Sequence, residues 1–124
     1  MTRLLAPLLA AALLLAGCGE KLAKGTEVAA KEKTAYYVAS VVEQSGDQVK
    51  VRYYDQTEAS LPRAEVKLPL APKEIKEGDT VLAVWKANQY YAGTVTSLTK
   101  AGAIVRWHDG SPPSEAAFGK IVKP

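Results

Sequence analysis

The chain has 124 residues, with 16 lysine and arginine side chains against 13 aspartate and glutamate side chains, one histidine and one cysteine. A net charge of +3 is too small to predict binding to nucleic acid from charge alone, and a single cysteine excludes an internal disulfide. The same composition excludes a structural zinc site built from cysteine and histidine.

The first 18 residues have the pattern of an export signal. Arg3 supplies a positive charge, and residues 4–15 are an apolar run of leucine and alanine broken only by a proline. The run is too short for a comfortable transmembrane helix. Residues 15–18, Leu-Ala-Gly-Cys, resemble the lipobox of bacterial lipoproteins, whose cysteine receives diacylglycerol before cleavage. The alternative is an ordinary secretion signal with an incidental cysteine.

The lipobox resemblance implies a signal peptide at residues 1–17, lipidation of Cys18 and a lipidated tether at residues 18–24. Two or three acyl chains hold a protein stably on a bilayer, so the expected location is the cell envelope. Because Gly19 follows the cysteine where aspartate would retain the protein in the inner membrane, the resemblance favours the outer membrane, facing the periplasm, in a cell with two membranes.

Residues 78–110 predict a three-stranded antiparallel meander. The first strand, 80–85, is mostly β-branched or aromatic, and a short polar connection leads to a second strand at 90–98. A glycine-containing turn precedes the third strand at 103–108, which an Asp-Gly pair ends. Gly93, inside the second strand, indicates a bend or a bulge.

A weaker copy of this meander begins at Gly25, so the sequence contains an internal repeat. Val28 and Val81 are 53 residues apart, whereas Tyr36 and Tyr90 are 54 residues apart. Diverged repeats usually differ in their loops, so we expect the extra residue of the second copy to lie in a loop.

The repeat divides the chain into a first unit at residues 25–66, a proline-containing linker at 67–77 and a second unit at 78–124. Each unit is near the lower size limit for burying an adequate core, so we expect the two units to pack against each other. Leu82 and Val84 make the second face of their strand apolar as well. We therefore expect them in the contact between the units.

The aromatic spacing of both units resembles the Tudor family, part of the SH3-like group of small bent barrels. The matching pattern is G-D-x-V-x-A-x-W, then Y-x-G-x-V, then V-x-W-x-D-G. It covers residues 78–110 well and 25–55 less well. The resemblance implies an all-β fold class, with two small SH3-like bent barrels in tandem after the lipoprotein signal peptide.

The Tudor resemblance also implies an aromatic cage for an alkylated cation on the second barrel, since aromatic faces attract cations. Trp85, Tyr91 and Trp107 fall at the cage positions, and Asp109 falls at the position of the acidic partner. Ser111 stands where the family often has another aromatic residue. Packing of the barrel core and rim is the alternative role for these rings.

The first barrel matches the cage pattern less completely. Tyr37, Tyr53 and Asp55 occupy the corresponding places and form a secondary, weaker candidate site. Glu32 stands where the tryptophan is expected, so we expect this barrel to be mainly a structural partner.

The sequence gives little support for catalysis, and no enzyme activity, cofactor or metal is predicted. His108 and Asp109 are neighbours on a strand, so their side chains point to opposite faces and do not favour a catalytic dyad. Ser111 and Ser114 flank two prolines and fit turn residues better than nucleophiles.

The favoured function is a membrane-anchored, non-catalytic binding or adaptor module, whose partner is a protein or a cationic small group. One alternative is a structural envelope lipoprotein whose aromatic residues only pack the barrels. A nucleic-acid-binding barrel using Arg52 and Arg106 is disfavoured by the export signal. The sequence does not indicate the oligomeric state.

Overall fold

Within residues 21–124, short runs of β-branched and aromatic residues, separated by tight turns, form ten strands. The computed structural model describes residues 21–124, so Cys18 and the predicted signal peptide lie outside the described residues. Between residues 21 and 124 there are two 3₁₀ turns, Arg63–Glu65 and Pro72–Glu74, and no helix long and apolar enough to cross a membrane. The strands are β1 (Glu27–Glu32), β2 (Ala35–Ser45), β3 (Gln48–Tyr53), β4 (Glu58–Pro62), β5 (Val66–Lys67), β6 (Thr80–Lys86), β7 (Gln89–Leu98), β8 (Gly102–Trp107), β9 (Ser114–Ala117) and β10 (Ile121–Val122).

The two halves of the chain repeat one antiparallel arrangement. In the first unit the strand order is β5-β1-β2-β3-β4, and in the second it is β10-β6-β7-β8-β9. A bulge follows Val41 in β2, and another follows Val95 at the equivalent place in β7. Bulges bend a strand and increase its twist, so both sheets curve at the same point. The meander predicted over residues 78–110 is confirmed.

Each unit buries its own core. The first core includes Val28, Val41, Val49, Val51 and Tyr53, and the second includes Val81, Val95, Val105, Trp107 and Ile121.

Both cores also draw on residues expected in connecting segments. Leu22 is buried in the first core, and its N–H donates to Oε1 of Gln44 over 2.7 Å. Ile75 is buried in the second core, and Leu70 packs against the same core. The predicted tether is therefore held to the first barrel from Leu22 onward, and part of the predicted linker 67–77 belongs to the second barrel's packing.

The two units meet through a strand pair and an apolar cluster. β2 pairs with β7, with Tyr36 opposite Tyr90. A third core cluster contains Ala29, Tyr90 and Val122, and partly buried side chains pack around it, including Leu82 and Val84. The prediction that Leu82 and Val84 lie between the units is confirmed.

The side chain of Tyr90 is buried in this contact. The side chain is 4 % exposed, and its hydroxyl has no hydrogen-bond partner among the residues that the structure describes. Burial raises the pKa of Tyr90 above its ordinary value of 10.0, so the phenol is neutral at physiological pH. The ring contributes apolar contact, while the hydroxyl is desolvated without a compensating bond.

Candidate functional site

Trp85 lies in a β-bulge immediately before the β6–β7 turn. Val84 pairs with Tyr90 and Lys86 pairs with Gln89, so Trp85 has no cross-strand partner. In the first unit, β1 and β2 pair without interruption through Glu32. The extra residue of the second copy is therefore a strand bulge, and the expectation that it lies in a loop is wrong. A bulge re-aims side chains, which gives Trp85 an orientation with no counterpart in the first barrel.

Gly93 allows β8 to approach β7 closely. The two residues are opposite each other on β7 and β8. A Cβ atom on Gly93 would lie 2.3 Å from Cγ1 of Val105, 2.9 Å from the Arg106 carbonyl oxygen and 3.3 Å from Cε3 of Trp107. In the first unit the same positions hold Ala39 opposite Tyr53. The glycine thus marks a close approach, whereas the predicted bulge occurs three residues later, at Thr96.

Three rings predicted for the cage lie together at one end of the second barrel. Trp85 and Trp107 stack, with ring centroids 5.4 Å apart and an interplanar angle of 18°. Tyr91 meets Trp85 edge-on at 5.3 Å and 76°, and meets Trp107 edge-on at 6.5 Å and 78°. Stacked and edge-to-face arrangements are the favourable geometries for aromatic pairs. Residues from three strands therefore form one aromatic cluster.

The three rings differ in how much of them reaches solvent. Trp107 is only 2 % exposed, and its indole N–H donates to Oγ of Ser114 over 3.0 Å. Trp85 and Tyr91 are partly buried and pack against the second core. The Tyr91 hydroxyl donates to Oε1 of Gln89 over 3.3 Å. Trp107 is thus a core residue that supports the cluster, and Trp85 and Tyr91 are the rings that a ligand can reach.

Asp109 is exposed on the turn that follows β8. Its Oδ1 accepts the backbone N–H of Ser111 over 2.9 Å, and this bond holds the pKa of the Asp109 carboxyl below its ordinary value. The nearby charge of Lys86 lowers the same pKa further. Tyr91, Ala92, His108 and Asp109 line a shallow groove of about 310 Å³.

Lys86 brings a cation to this cluster from within the chain. Its Nζ lies 4.4 Å from the centroid of the Trp85 ring. A cation at this distance from an indole is attracted by the negative face of the ring. Sequence reasoning missed Lys86, since the bulge that places it over its neighbour is not visible in an alternating pattern.

The candidate residues of the first barrel do not form a matching site. Tyr53 is buried, its hydroxyl donates to the Lys31 carbonyl over 2.6 Å, and burial raises its pKa. Tyr37 instead stacks on Tyr54, with ring centroids 6.1 Å apart. Oδ1 of Asp55 accepts two hydrogen bonds from Thr57, which lower the pKa of that carboxyl.

The polar side chains next to the cluster bond to separate partners. Nε2 of His108 lies 2.9 Å from Oγ1 of Thr94, while Asp109 is bonded to Ser111, so the histidine and the aspartate are not hydrogen-bonded to each other. Over residues 21–124, no group of three or more His, Cys, Asp or Glu side chains could hold a metal ion. An aromatic cluster beside a carboxylate can attract a cationic group through its faces and its charge.

Comparison with known proteins gives structural neighbours only. No protein-family model matches the sequence, and no curated protein matches it. Two crystal structures, ADCP1 tandem Agenet domain 3-4 (TM-score 0.47, 16% identity, 82% of this chain and 79% of that chain) and the Arabidopsis thaliana SHH1 SAWADEE domain (TM-score 0.40, 16% identity, 83% and 98%), are too distant to carry an argument.

The crystal structure of Arabidopsis thaliana AGDP1 AGD34 is a further neighbour, with a TM-score of 0.51 and 15% identity over 90% of this chain and 86% of that chain. At this identity the likeness concerns the fold alone. Together with the ten-stranded arrangement of residues 27–122, which contains no α-helix, it shows that the chain has an all-β fold of two small Tudor-like bent barrels in tandem, as the sequence predicted.

Proposed function

We propose that the protein is a non-catalytic binding module that holds a cationic group of a partner at the second barrel. Trp85 and Tyr91 supply the aromatic faces, Trp107 supports them from the core, and Asp109 supplies the negative charge. One observation carries the proposal: the chain's own Lys86 ammonium already lies over the Trp85 ring, 4.4 Å from its centroid. The site therefore has the chemistry to hold a cation.

The position of Lys86 also bears on which cations can bind. An incoming group has to displace the ammonium of Lys86, so it must interact more favourably with the rings than a lysine does. A methylated ammonium or a guanidinium group is less strongly hydrated than a primary ammonium and loses less on leaving water. We therefore propose that weakly hydrated cations are the preferred ligands, with an energy of about 0.5–1 kcal/mol per exposed cation–π contact.

A titration with choline tests this function. Choline and 3,3-dimethylbutan-1-ol have nearly the same shape, but only choline is charged. We expect choline to change the tryptophan fluorescence of the protein with millimolar affinity, and the neutral alcohol to have little effect. Because Trp85→Ala also removes a fluorescent ring, the variants are compared by the amide shifts that choline causes in the ¹⁵N-labelled protein. Trp85→Ala should abolish these shifts, whereas Tyr54→Ala, which removes an exposed ring of the first barrel, should retain them.

The alternative is that the aromatic cluster only packs the barrel, and the burial of Trp107 favours it. In that case choline and the neutral alcohol would act alike. Trp85→Ala would then lower the free energy of unfolding by about 3–5 kcal/mol, as core tryptophans do. For a partly buried ring at a binding site we expect a smaller loss, with the fold retained.

We further propose that Cys18 carries lipid and holds this module at the surface of a membrane. The lipobox pattern supports lipidation, and the burial of Leu22 leaves only residues 19–21 between the cysteine and the folded barrel. Three extended residues span about 10 Å, so the barrel would lie close to the bilayer, where tethering raises its effective concentration toward a membrane partner. Labelling with a fatty-acid analogue should modify the protein and fail with Cys18→Ser; equal labelling of both would refute the proposal.

A further inference from the structure

The first barrel contains an arginine whose partner is built into the chain. Nε and Nη2 of Arg52 both donate to Oε2 of Glu58, over 2.9 and 2.6 Å. Glu58 lies on β4, directly opposite Arg52 in the β3–β4 ladder. Lys50 adds a second cation 3.5 Å from the other carboxylate oxygen, and these contacts lower the pKa of Glu58. An acidic residue on the edge strand thus pairs with both basic side chains of β3, Lys50 and Arg52.

The second barrel keeps the arginine and has lost the carboxylate. Arg106 matches Arg52 in the repeat and is exposed on β8. The β8–β9 ladder ends at the pair Val105 and Ser114, so the register puts Pro113 in the place that Glu58 has in the first barrel. The ion pairs formed within residues 21–124 do not include Arg106.

A groove lies where the missing partner would be. It has a volume of about 530 Å³ and is lined by Arg106, Trp107, His108 and residues 110–113. Pro112 and Pro113 have no N–H to extend the ladder, so the edge of β8 beside Arg106 lacks a paired strand. The groove combines the apolar surface of two prolines with one guanidinium group.

We propose that Arg106 binds a carboxylate of an acidic segment in a partner protein, placed where Glu58 lies in the first barrel. The guanidinium group is a planar fork that suits a carboxylate, and the first barrel shows this pairing on the same strand position. The neighbouring prolines offer apolar contact to the rest of the segment. This site is independent of the cation site proposed at Trp85, because it uses a different side chain and a ligand of opposite charge.

The chain's own β4 sequence provides a probe for the test. A peptide of residues 56–62, acetylated and amidated so that Glu58 carries its only charge, would be titrated into the ¹⁵N-labelled protein. We expect the amide signals of residues 106–111 to shift, with affinity falling about threefold to fivefold for Arg106→Gln, the range for one exposed charge-assisted pair. Arg106→Lys should lie between, and Lys100→Gln, which removes a charge elsewhere in the second barrel, should bind like the unmodified protein.

Three outcomes would overturn the inference. The first is a peptide with Glu58→Gln that shifts the same signals with equal affinity, which would show that the carboxylate is not recognised. The second is an Arg106→Gln variant that binds the acidic peptide as well as the unmodified protein does. The third is a short oligothymidine that displaces the acidic peptide and binds more tightly, which would make the guanidinium a phosphate contact instead. The peptide titration does not depend on the cation site, so a failure of choline binding would not overturn this inference.

Discussion

Replacing Gly93 by alanine should destabilise the second barrel, although the first barrel carries alanine at the equivalent position. The added Cβ would meet Cγ1 of Val105 at 2.3 Å and the Arg106 carbonyl at 2.9 Å, so a side chain and a backbone strand must both move. Overpacking of this kind costs about 1–3 kcal/mol. Alanine offsets about 0.5–1 kcal/mol of this cost, because it loses less conformational entropy on folding than glycine does. We expect a net loss of about 1–2 kcal/mol in the free energy of unfolding.

Urea denaturation of a double-mutant cycle would measure this effect. Val105→Ala removes Cγ1, the atom that the added carbon would meet most closely. Gly93→Ala should therefore cost less in the Val105→Ala background, with a favourable coupling of at least about 0.5 kcal/mol. A Gly93→Ala variant within about 0.5 kcal/mol of the unmodified protein, or a cycle without coupling, would refute the close-packing explanation.

Four further changes test the site and the contact between the barrels. Lys86→Gln should raise the affinity for choline about twofold to fivefold, because one competing cation–π contact is removed; an unchanged affinity in the fluorescence titration would show that the ammonium does not occupy the site. Tyr90→Phe should leave the free energy of unfolding unchanged or raise it by up to about 1 kcal/mol, since its buried hydroxyl has no partner within the described residues; a clear loss in urea denaturation would reveal a missed bond. Leu82→Lys should lower the free energy of unfolding by about 1–2 kcal/mol, because half-buried apolar area is lost while the lysine stem retains some contact. Leu98→Lys, at a residue that is 46% exposed, is the control and should cost less. Choline affinity should be constant above pH 3.8, the ordinary pKa of an aspartate, and should fall as the pH drops through the lower pKa of Asp109 in the folded protein. The stability that the hydrogen bond of Asp109 contributes should be lost over the same pH range. If Asp109→Asn kept this pH dependence of choline binding, the assignment would be contradicted.

The alternating pattern predicted the sheets well because it records burial directly. Val105 and Trp107 are buried while Arg106 between them is exposed, as the period of two requires. The same logic placed Leu82 in the contact between the barrels, since a strand with two apolar faces needs two partners.

The pattern could not resolve features that depend on three-dimensional proximity. A repeat offset by one residue shows that an insertion exists, but a bulge at Trp85 and a longer loop give the same offset. Likewise Trp85 and Trp107 look alike in sequence, yet one is partly buried and the other is 2 % exposed. Leu22 and Ile75 stand in polar, irregular stretches, so their burial has no periodic signal.

The pairing of β2 with β7 limits how far this architecture can extend. These are equivalent strands, and Tyr36 meets Tyr90, its own counterpart in the repeat, across an antiparallel contact. Such a contact joins two copies of the same surface, as in a homodimer with two-fold symmetry. It is self-complementary and is used up once it forms, unlike the head-to-tail contacts by which solenoid repeats add unit after unit. Two barrels therefore complete the assembly that this contact can build, and a third copy added to the chain would find neither strand edge free.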